Sequence, residues 1–432
     1  MPIRPAFAAT LLSAMLLGNA CSGAPTAVDA GGVDASVTDS GLPDAGGGLP
    51  DAHVADAAVD GGFDAGLDAG PPLAPTHFIA LPSLPSPRVF HTATRLQNGS
   101  VLIVGGETDI SIPTAEVELF EPTTRTFRSL TPLPAARSHH IASLLPDGRV
   151  LIASGGKSSG GGRSYPCDDV TASALIYDPS TGVSTPIAPM QQARSFAESI
   201  ELPNGSTLVV GGGVGTYDGG GFPVLADATT SAELFVPDAG WRTVGPMAAR
   251  RYFHSLNLLP GGGVLVVGGA WESNDSWATS EKFDPTSETF VSAPFPSGES
   301  RFRHSTATLT DGRVLLVGGK EANIKFLRRA ALYNPQTNAW SAVPAISTGG
   351  NAGTLTALPN GDALFIGGFF PPTTFAEALM FRAATSTWSP IMPLNEARKA
   401  HTATLLNDGS VLVVGGLDEN DGVIGSAELA VP

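Results

Sequence analysis

Arginine and histidine recur together along this chain in a motif, Arg-x-x-His, that returns about every fifty residues. Guanidinium groups bind carboxylates and phosphates through paired hydrogen bonds, and imidazoles bind metals or carry protons. The motif therefore offers anion binding on one hand and metal or proton chemistry on the other. Its residues are Arg88 and His91, Arg137 and His140, Arg194 alone, Arg251 and His254, Arg301 and His304, and Arg398 and His401.

The wide spacing of the histidines argues against a metal centre. No set of residues has the short-range spacing of a zinc site, and no Gly-x-Ser-x-Gly, phosphate-loop or His-Glu-x-x-His motif occurs. We expect no catalytic residue, no metal and no cofactor. Because residues shared by nearly every repeat usually maintain the repeat, we interpret the motif mostly as framework. The alternative is a ring of arginines that holds an anionic group, opened on one side by Gly350 and Gly353.

A short turn signal, repeated seven times, shows what must position the motif. Each occurrence of the signal is a pair of residues that ends in glycine, which takes a positive φ at low cost, and it predicts a two-residue hairpin. An apolar run begins two residues later and predicts a strand that is buried on both faces. The turns are Asn98-Gly99, Asp147-Gly148, Asn204-Gly205, Gly261-Gly262, Asp311-Gly312, Asn360-Gly361 and Asp408-Gly409.

Further features recur in the same register within each copy. A Gly-Gly pair follows the apolar run in six copies, and Ser154-Gly155 replaces it in the second. Two aromatic positions follow, as in Phe120 and Phe127. Each copy therefore predicts four short antiparallel strands, and the repeat period of about 48 to 57 residues is typical of a β-propeller. Over residues 76 to 432 the chain resembles the kelch-repeat family.

The seventh copy lacks its fourth strand at the C-terminus. Residues 78 to 88 align without a gap to residues 127 to 137, which form the fourth strand and exit loop of the first copy. The N-terminal strand is thus expected to complete the last blade. Residues 73 to 432 are predicted to form an all-β, seven-bladed propeller of four-stranded antiparallel blades, closed by that strand.

The first 72 residues have a different composition. Residues 1 to 20 have one arginine and a short apolar core, which is typical of a signal peptide. Residues 16 to 21 resemble a bacterial lipobox, which implies lipidation at Cys21 and an outer-membrane or cell-surface location; ordinary secretion is the alternative. Residues 21 to 72, rich in Ala, Gly and Asp, are expected to form a disordered tether.

The charge is concentrated in that tether. The nine aspartates of the tether and Arg4 in the leader together contribute -8, which leaves -8 of the net charge of -16 for residues 73 to 432. No basic face for nucleic acid is indicated. We expect a monomer that contacts membrane only through the lipid.

Variable loops between the second and third strands are the expected ligand-binding face, because loops on a rigid scaffold commonly carry function. These loops carry nine aromatic residues, and aromatic side chains are favoured in recognition surfaces. We expect the chain to be a binding module for a protein or glycan rather than an enzyme. The nine are Tyr165, Tyr217, Phe222, Trp271, Trp277, Phe326, Phe369, Phe370 and Phe375.

Kelch relatives include galactose oxidase, a copper-radical enzyme that needs a cysteine-linked tyrosine and further tyrosine and histidine ligands. Here Cys167 lies near Tyr165, whereas Tyr177 and Tyr333 occupy repeat positions. We therefore expect no copper site. An extracellular enzyme acting on carbohydrate or peptide remains the alternative function.

Overall fold

The computed structural model describes residues 74–109, 112–156, 170–217, 223–272, 275–296, 300–321 and 325–432. These residues form seven four-stranded antiparallel sheets arranged as blades around a central channel. Each inner strand contacts the inner strand of the next blade, and that of blade seven contacts that of blade one. The predicted seven-bladed β-propeller is confirmed. Within the described residues, no helix is long and apolar enough to cross a membrane.

The four strands of each blade run from the channel to the rim. The inner strands are Thr92–Arg95, Ile141–Leu144, Glu198–Glu201, Ser255–Leu258, Ser305–Thr308, Thr354–Ala357 and Thr402–Leu405. The second strands are Val101–Val104, Val150–Ala153, Thr207–Val210, Val264–Val267, Val314–Val317, Ala363–Ile366 and Val411–Val414. The third strands are Val117–Glu121, Ala174–Asp178, Ala232–Val236, Ser280–Asp284, Ala330–Asn334, Ala378–Arg382 and Ala427–Val431. The outer strands are Thr126–Ser129, Val183–Ile187, Gly240–Thr243, Thr289–Ala293, Ala339–Val343, Thr387–Ile391 and, for blade seven, His77–Leu81.

The core lies between neighbouring blades. Every residue of the seven second strands is buried, as their unbroken apolar sequences require. Between blades one and two, for example, Leu102 and Val104 pack in one cluster with Val150 and Ile152. The core is thus repeated at each junction, and no blade could bury its apolar faces alone.

The turns between the inner and second strands are one residue longer than the sequence suggested. In blade one the Leu96 N–H bonds to the Ser100 carbonyl, and the Gly99 N–H bonds to the Leu96 carbonyl. Only the glycine has a positive φ, of 89°. The two-residue hairpin was therefore a wrong prediction, because the residues form a type I turn followed by a left-handed glycine.

The Gly-Gly pair brings neighbouring blades into backbone contact. Gly211 has a φ of 61°, and a Cβ there would stand 2.4 Å from the Arg251 carbonyl oxygen of the next blade. The following N–H, of Gly212, donates to the same carbonyl at 2.9 Å. A side chain at the first position would therefore force the blades apart.

The N-terminal strand closes the ring in the predicted way. His77–Leu81 pairs antiparallel with Ala427–Val431, from His77 opposite Val431 to Leu81 opposite Ala427. Phe78 packs into the cluster that joins blades six and seven. The two ends of the described chain are therefore held in one sheet.

The loops between second and third strands form one face of the disc, here called the loop face, together with the loops that connect successive blades. Isolated bridges link the two loop types, such as Val89 with Glu107 and Lys399 with Leu417. Four of the loops contain small hairpins. Their strands are Glu107–Asp109 with Ile112–Pro113, Gly213–Tyr217 with Pro223–Ala228, Ala270–Glu272 with Asp275–Ser276, and Phe369–Phe370 with Thr373–Thr374.

Candidate functional site: the loop face and the central channel

The six arginines of the repeated motif are buried, none more than 4% exposed. Each donates within its own blade, to a carbonyl directly after the second strand or, for Arg88, to the carbonyl and carboxylate of Glu116 just before the third strand. Arg194, for example, donates to the Gly211 carbonyl at 3.0 Å and to the Glu233 carboxylate at 2.7 Å. Burial lowers the pKa of Arg137 to about 10, so it still carries its charge at neutral pH. These guanidinium groups are occupied inside the blades.

The histidines of the motif join neighbouring blades. The His140 Nε2 shares a hydrogen bond with the Thr92 hydroxyl of the preceding blade at 3.0 Å, and His401 pairs in the same way with Thr354 at 2.9 Å. Pairs His91–Thr402 and His304–Ser255 repeat the contact. Burial lowers the pKa of His401 to about 3, so its imidazole is neutral above mildly acidic pH.

A ring of seven residues surrounds the channel axis at the loop face, one from each blade. Six lie two positions after a motif arginine and the seventh two positions after Gly350, and all have a φ between 51° and 56°. Backbone N–H groups link consecutive members, as from His139 to the Phe90 carbonyl at 3.3 Å. The ring consists of Phe90, His139, Phe196, Phe253, Arg303, Ala352 and Ala400. Sequence reasoning missed it, because only its position is repeated and not its residue type.

The ring is aromatic on one side. The Phe90 and His139 rings lie 4.1 Å apart, those of His139 and Phe196 lie 3.9 Å apart, and those of Phe196 and Phe253 lie 4.9 Å apart. The Arg303 guanidinium lies 4.3 Å from the centre of the Phe253 ring. Blades six and seven contribute only alanines, so this side of the ring has no bulk.

A cavity of about 370 Å³ lies in the channel beside the aromatic part of the ring. Glu198, on the inner strand of blade three, lines it together with Phe90, Phe196 and Phe253. The Glu198 side chain reaches channel water, but protein surrounds it closely, and this partial desolvation raises its pKa to about 7.

Four cations at the loop face lie over aromatic side chains of blades four to six, outside the cavity wall. Lys320 lies 5.6 Å from the Phe302 ring and 5.7 Å from the Phe326 ring. Arg328 lies 4.4 Å from the Phe370 ring, and Lys399 lies 4.3 Å from the Phe369 ring. The Phe326 ring lies 5.7 Å from Phe369 and 5.9 Å from Phe370. We call Arg303, Lys320, Arg328, Lys399 and the rings beneath them the cationic cluster.

Electrostatics within the cationic cluster are partly balanced. The Lys399 ammonium pairs with the Asp421 carboxylate at 2.6 Å. Burial and the nearby Arg303 lower the pKa of Lys320. Arg328 is exposed to solvent.

Of the remaining aromatic candidates, Trp271 packs against the apolar group that includes Phe253 and Phe302. The rings of Trp271 and Trp277 lie 5.8 Å apart, with the Arg250 guanidinium 5.0 Å from the Trp271 ring. The Trp277 indole donates to the Arg250 carbonyl at 2.7 Å. Phe375 is half-buried, and its carbonyl accepts from the Arg398 N–H.

Three of the nine aromatic candidates cannot be placed on this surface. Tyr165 and Phe222 lie outside the described residues, as do Cys167 and Cys21. Of Tyr217 the structure describes the backbone, which ends one strand of the blade-three hairpin.

The described residues contain no cluster of the commonest metal-binding side chains. They contain no group of three or more histidine, cysteine, aspartate or glutamate side chains placed to hold a metal ion. The Tyr177 hydroxyl donates to the Thr131 carbonyl at 3.0 Å, and the Tyr333 hydroxyl donates to Asn338 at 2.7 Å. Both tyrosines are therefore engaged within the framework.

Comparison with known proteins gives a limited match to copper oxidases. No family model matches the chain. Two galactose oxidases of Gibberella zeae are 32% identical to it over 125 residues, which cover 29% of this chain and 18% of each relative. The chain thus matches less than a fifth of the length of these relatives.

Similarity of structure extends further than similarity of sequence. A fungal alcohol oxidase of the AA5 family, solved in complex with copper, matches with a TM-score of 0.63 at 17% identity. The match covers 82% of this chain and 76% of the oxidase. Together with the seven repeated blades, the structural match supports the β-propeller fold of this chain, and its partial sequence similarity is to galactose oxidases.

Proposed function

We propose that this propeller is a binding module for an anionic glycan, which it takes on the loop face at the cationic cluster. The observation that carries the proposal is the stacking of Lys320, Arg328 and Lys399 on neighbouring phenylalanine rings. Aromatic rings contact the apolar faces of sugars, and cations beside them pair with carboxylate or sulfate groups. The cluster combines both functions on one surface.

Charge supports this choice of ligand over a neutral one. Residues 73 to 432 carry a net charge of -8, yet four cations converge on this part of the loop face. Asp421 pairs with Lys399 and Glu321 with Lys325, whereas Arg328 is exposed to solvent. An exposed cation beside other cations, on a domain that is acidic as a whole, favours an anionic partner at this place.

Polygalacturonate and its methyl ester test the proposal, because they share a backbone and differ in charge. The mature chain should bind polygalacturonate more tightly in calorimetry, and salt should weaken the interaction. Arg328→Gln should weaken it about threefold to tenfold, as expected for one exposed ion pair of about 1 kcal/mol. Arg149→Gln is the matched control, since Arg149 pairs with Asp147 in a turn on the opposite face.

Three results would contradict this function. Equal affinity for the ester and the acid would remove the role of charge. Equal loss of binding in Arg328→Gln and Arg149→Gln would show that only overall charge matters. Binding of an acidic protein, with no binding of polygalacturonate, would replace the glycan by the other class of partner.

A carbohydrate oxidase is the second candidate, favoured by the partial similarity to galactose oxidase. The described residues hold no group of three or more histidine, cysteine, aspartate or glutamate side chains placed to bind a metal, so we derive no oxidative step. Titration of the metal-free mature chain with copper tests this candidate. Stoichiometric tight binding, with oxygen consumption on an alcohol or sugar, would favour the enzyme.

Display at the cell envelope completes the proposal. The leader and the lipobox-like residues 16 to 21 support acylation of Cys21, and the Asp-rich segment after it would separate the propeller from the membrane. Labelled fatty acid should enter the wild-type chain and not Cys21→Ser. Equal labelling of both would contradict the anchor.

A further inference from the structure

The channel cavity differs in charge from the cationic cluster. Its walls contain three histidines, His91, His139 and His140. Burial lowers the pKa of all three imidazoles, to about 3 for His91 and well below the ordinary value for His140, so they are neutral at neutral pH. Among the described residues, Glu198 is the only other ionisable one that lines the cavity. Any charge within the cavity at neutral pH is therefore negative.

Glu198 also breaks a repeated contact of the framework. In four blades the residue at its position is a serine or threonine, whose hydroxyl pairs with the motif histidine of the next blade. In blade three this residue is Glu198, and the histidine that follows is His254. Neither ring nitrogen of His254 has a hydrogen-bond partner in the described structure, although the Val210 carbonyl lies close enough to oppose the fall in its pKa.

The aromatic side of the ring provides the rest of the surroundings. Phe90, Phe196 and Phe253 line the same cavity as Glu198. The face of an aromatic ring attracts cations, and a carboxylate beside it adds a directed ion pair. Aromatic rings around a single carboxylate suit a positively charged organic group better than a neutral or anionic one.

We propose that this cavity binds a small organic ammonium ion, whose charge pairs with the Glu198 carboxylate while its apolar part contacts the phenylalanine rings. The site is separate from the cationic cluster, and it does not depend on the proposed glycan function.

Few charged groups face Glu198 from the elements packed around it. The inner strand of blade two and that of blade four, Ser255–Leu258, contain no ionisable residue, and each is preceded by a buried motif histidine. Glu201 lies at the far end of the same strand, outside the cavity. Arg303 lies over Phe253 but is not part of the cavity wall. The protonation of Glu198 itself should therefore control binding.

Benzylamine and benzyl alcohol test the site, because they have the same shape and only the amine is charged. We expect the mature chain to bind benzylamine in calorimetry at pH 8 and to bind the alcohol at least tenfold more weakly. Between pH 8 and pH 6 the ionised fraction of a carboxyl with a pKa of about 7 falls from roughly nine tenths to one tenth. Affinity for the amine should fall about tenfold over this interval.

Glu198→Gln should weaken amine binding at least tenfold and abolish its pH dependence. Glu201→Gln is the matched control, because it removes an equal charge from the same strand outside the cavity; it should retain wild-type affinity. Thermal midpoints of both variants establish that they are folded. Equal binding of amine and alcohol, unchanged affinity in Glu198→Gln, or no binding of benzylamine at millimolar concentration would each overturn the proposal.

Discussion

Phe78→Ala should destabilise the whole propeller, although Phe78 lies near the end of the chain. The side chain is 9% exposed and packs with Leu364 and Met380 of blade six and with Val411 and Val413 of blade seven. Phenylalanine-to-alanine changes in cores cost about 3 to 5 kcal/mol. Because one edge of the strand is at the rim, we take the lower value, about 3 kcal/mol.

This loss converts into a measurable thermal shift. A folded unit of about 360 residues has an unfolding entropy on the order of 0.75 kcal/mol/K, so 3 kcal/mol lowers the melting temperature by about 4 °C. Differential scanning calorimetry of the mature chain measures it. The matched control is Ala80→Ser on the same strand, whose side chain is exposed and whose change should move the midpoint by less than 1 °C.

Ring closure makes a further demand on the same experiment. If the strand His77–Leu81 seals blade seven, the variant should melt in one transition at lower temperature, because no blade is stable alone. A midpoint within 1 °C of wild type would refute the reasoning. So would an early partial transition that leaves six blades intact.

Three other changes probe the framework. Arg194→Met should cost about 3 kcal/mol in urea unfolding, because it leaves the buried Glu233 carboxylate without a counter-charge, held only by the N–H groups of Gln191 and Gln192. A loss below about 1 kcal/mol would contradict this. Gly211→Ala should destabilise the propeller more than Gly261→Ala, because a Cβ at Gly211 would stand 2.4 Å from the Arg251 carbonyl oxygen, whereas a Cβ at Gly261 would meet nothing within 4 Å. Equal urea midpoints of the two variants would argue against close contact between blades. Stability should fall as the pH is lowered from 6.5 to 3, by up to about 1.4 kcal/mol per pH unit for each histidine like His401, because its folded pKa of about 3 is below the unfolded value. The raised pKa of Glu198 has the opposite effect and offsets this loss only in part. A free energy of unfolding that does not change with pH in calorimetry would contradict the prediction.

Blade number and ring closure could be predicted from sequence because they rest on residues that recur. A doubly buried strand must be apolar throughout, and a left-handed turn position selects glycine, so the same physical demand leaves the same residue in each copy. The alignment of Phe78 with Phe127 locates the closing strand for the same reason. The turn type was missed because both hairpin types place glycine at the same position.

The candidate site could be predicted only in part, because a site is built from residues that differ between copies. Phe326, Phe369 and Phe370 were recognised as aromatic loop residues, but the cations stacked on them come from separate loops and share no spacing. The channel ring was missed since its backbone conformation, and not its side chain, is what the repeat maintains. Its members have φ near 55° whether they are Phe90 or Ala352.

Departures from the repeat are most informative where only one partner of a contact has changed. In blade three the position of the motif histidine is occupied by Ala197, and the position of its hydroxyl partner in blade two is occupied by Ile141. Both polar groups of the contact are therefore absent, and neither is left unpaired. By contrast, Glu198 replaces a hydroxyl while His254 remains, and a buried polar group without a partner costs about 1 to 3 kcal/mol. Glu198→Ser should therefore give His254 a partner and raise stability by about 1 kcal/mol in urea unfolding, while abolishing amine binding. If the variant is no more stable than wild type, Glu198 imposes no cost on the framework, and this reason for assigning it a function fails.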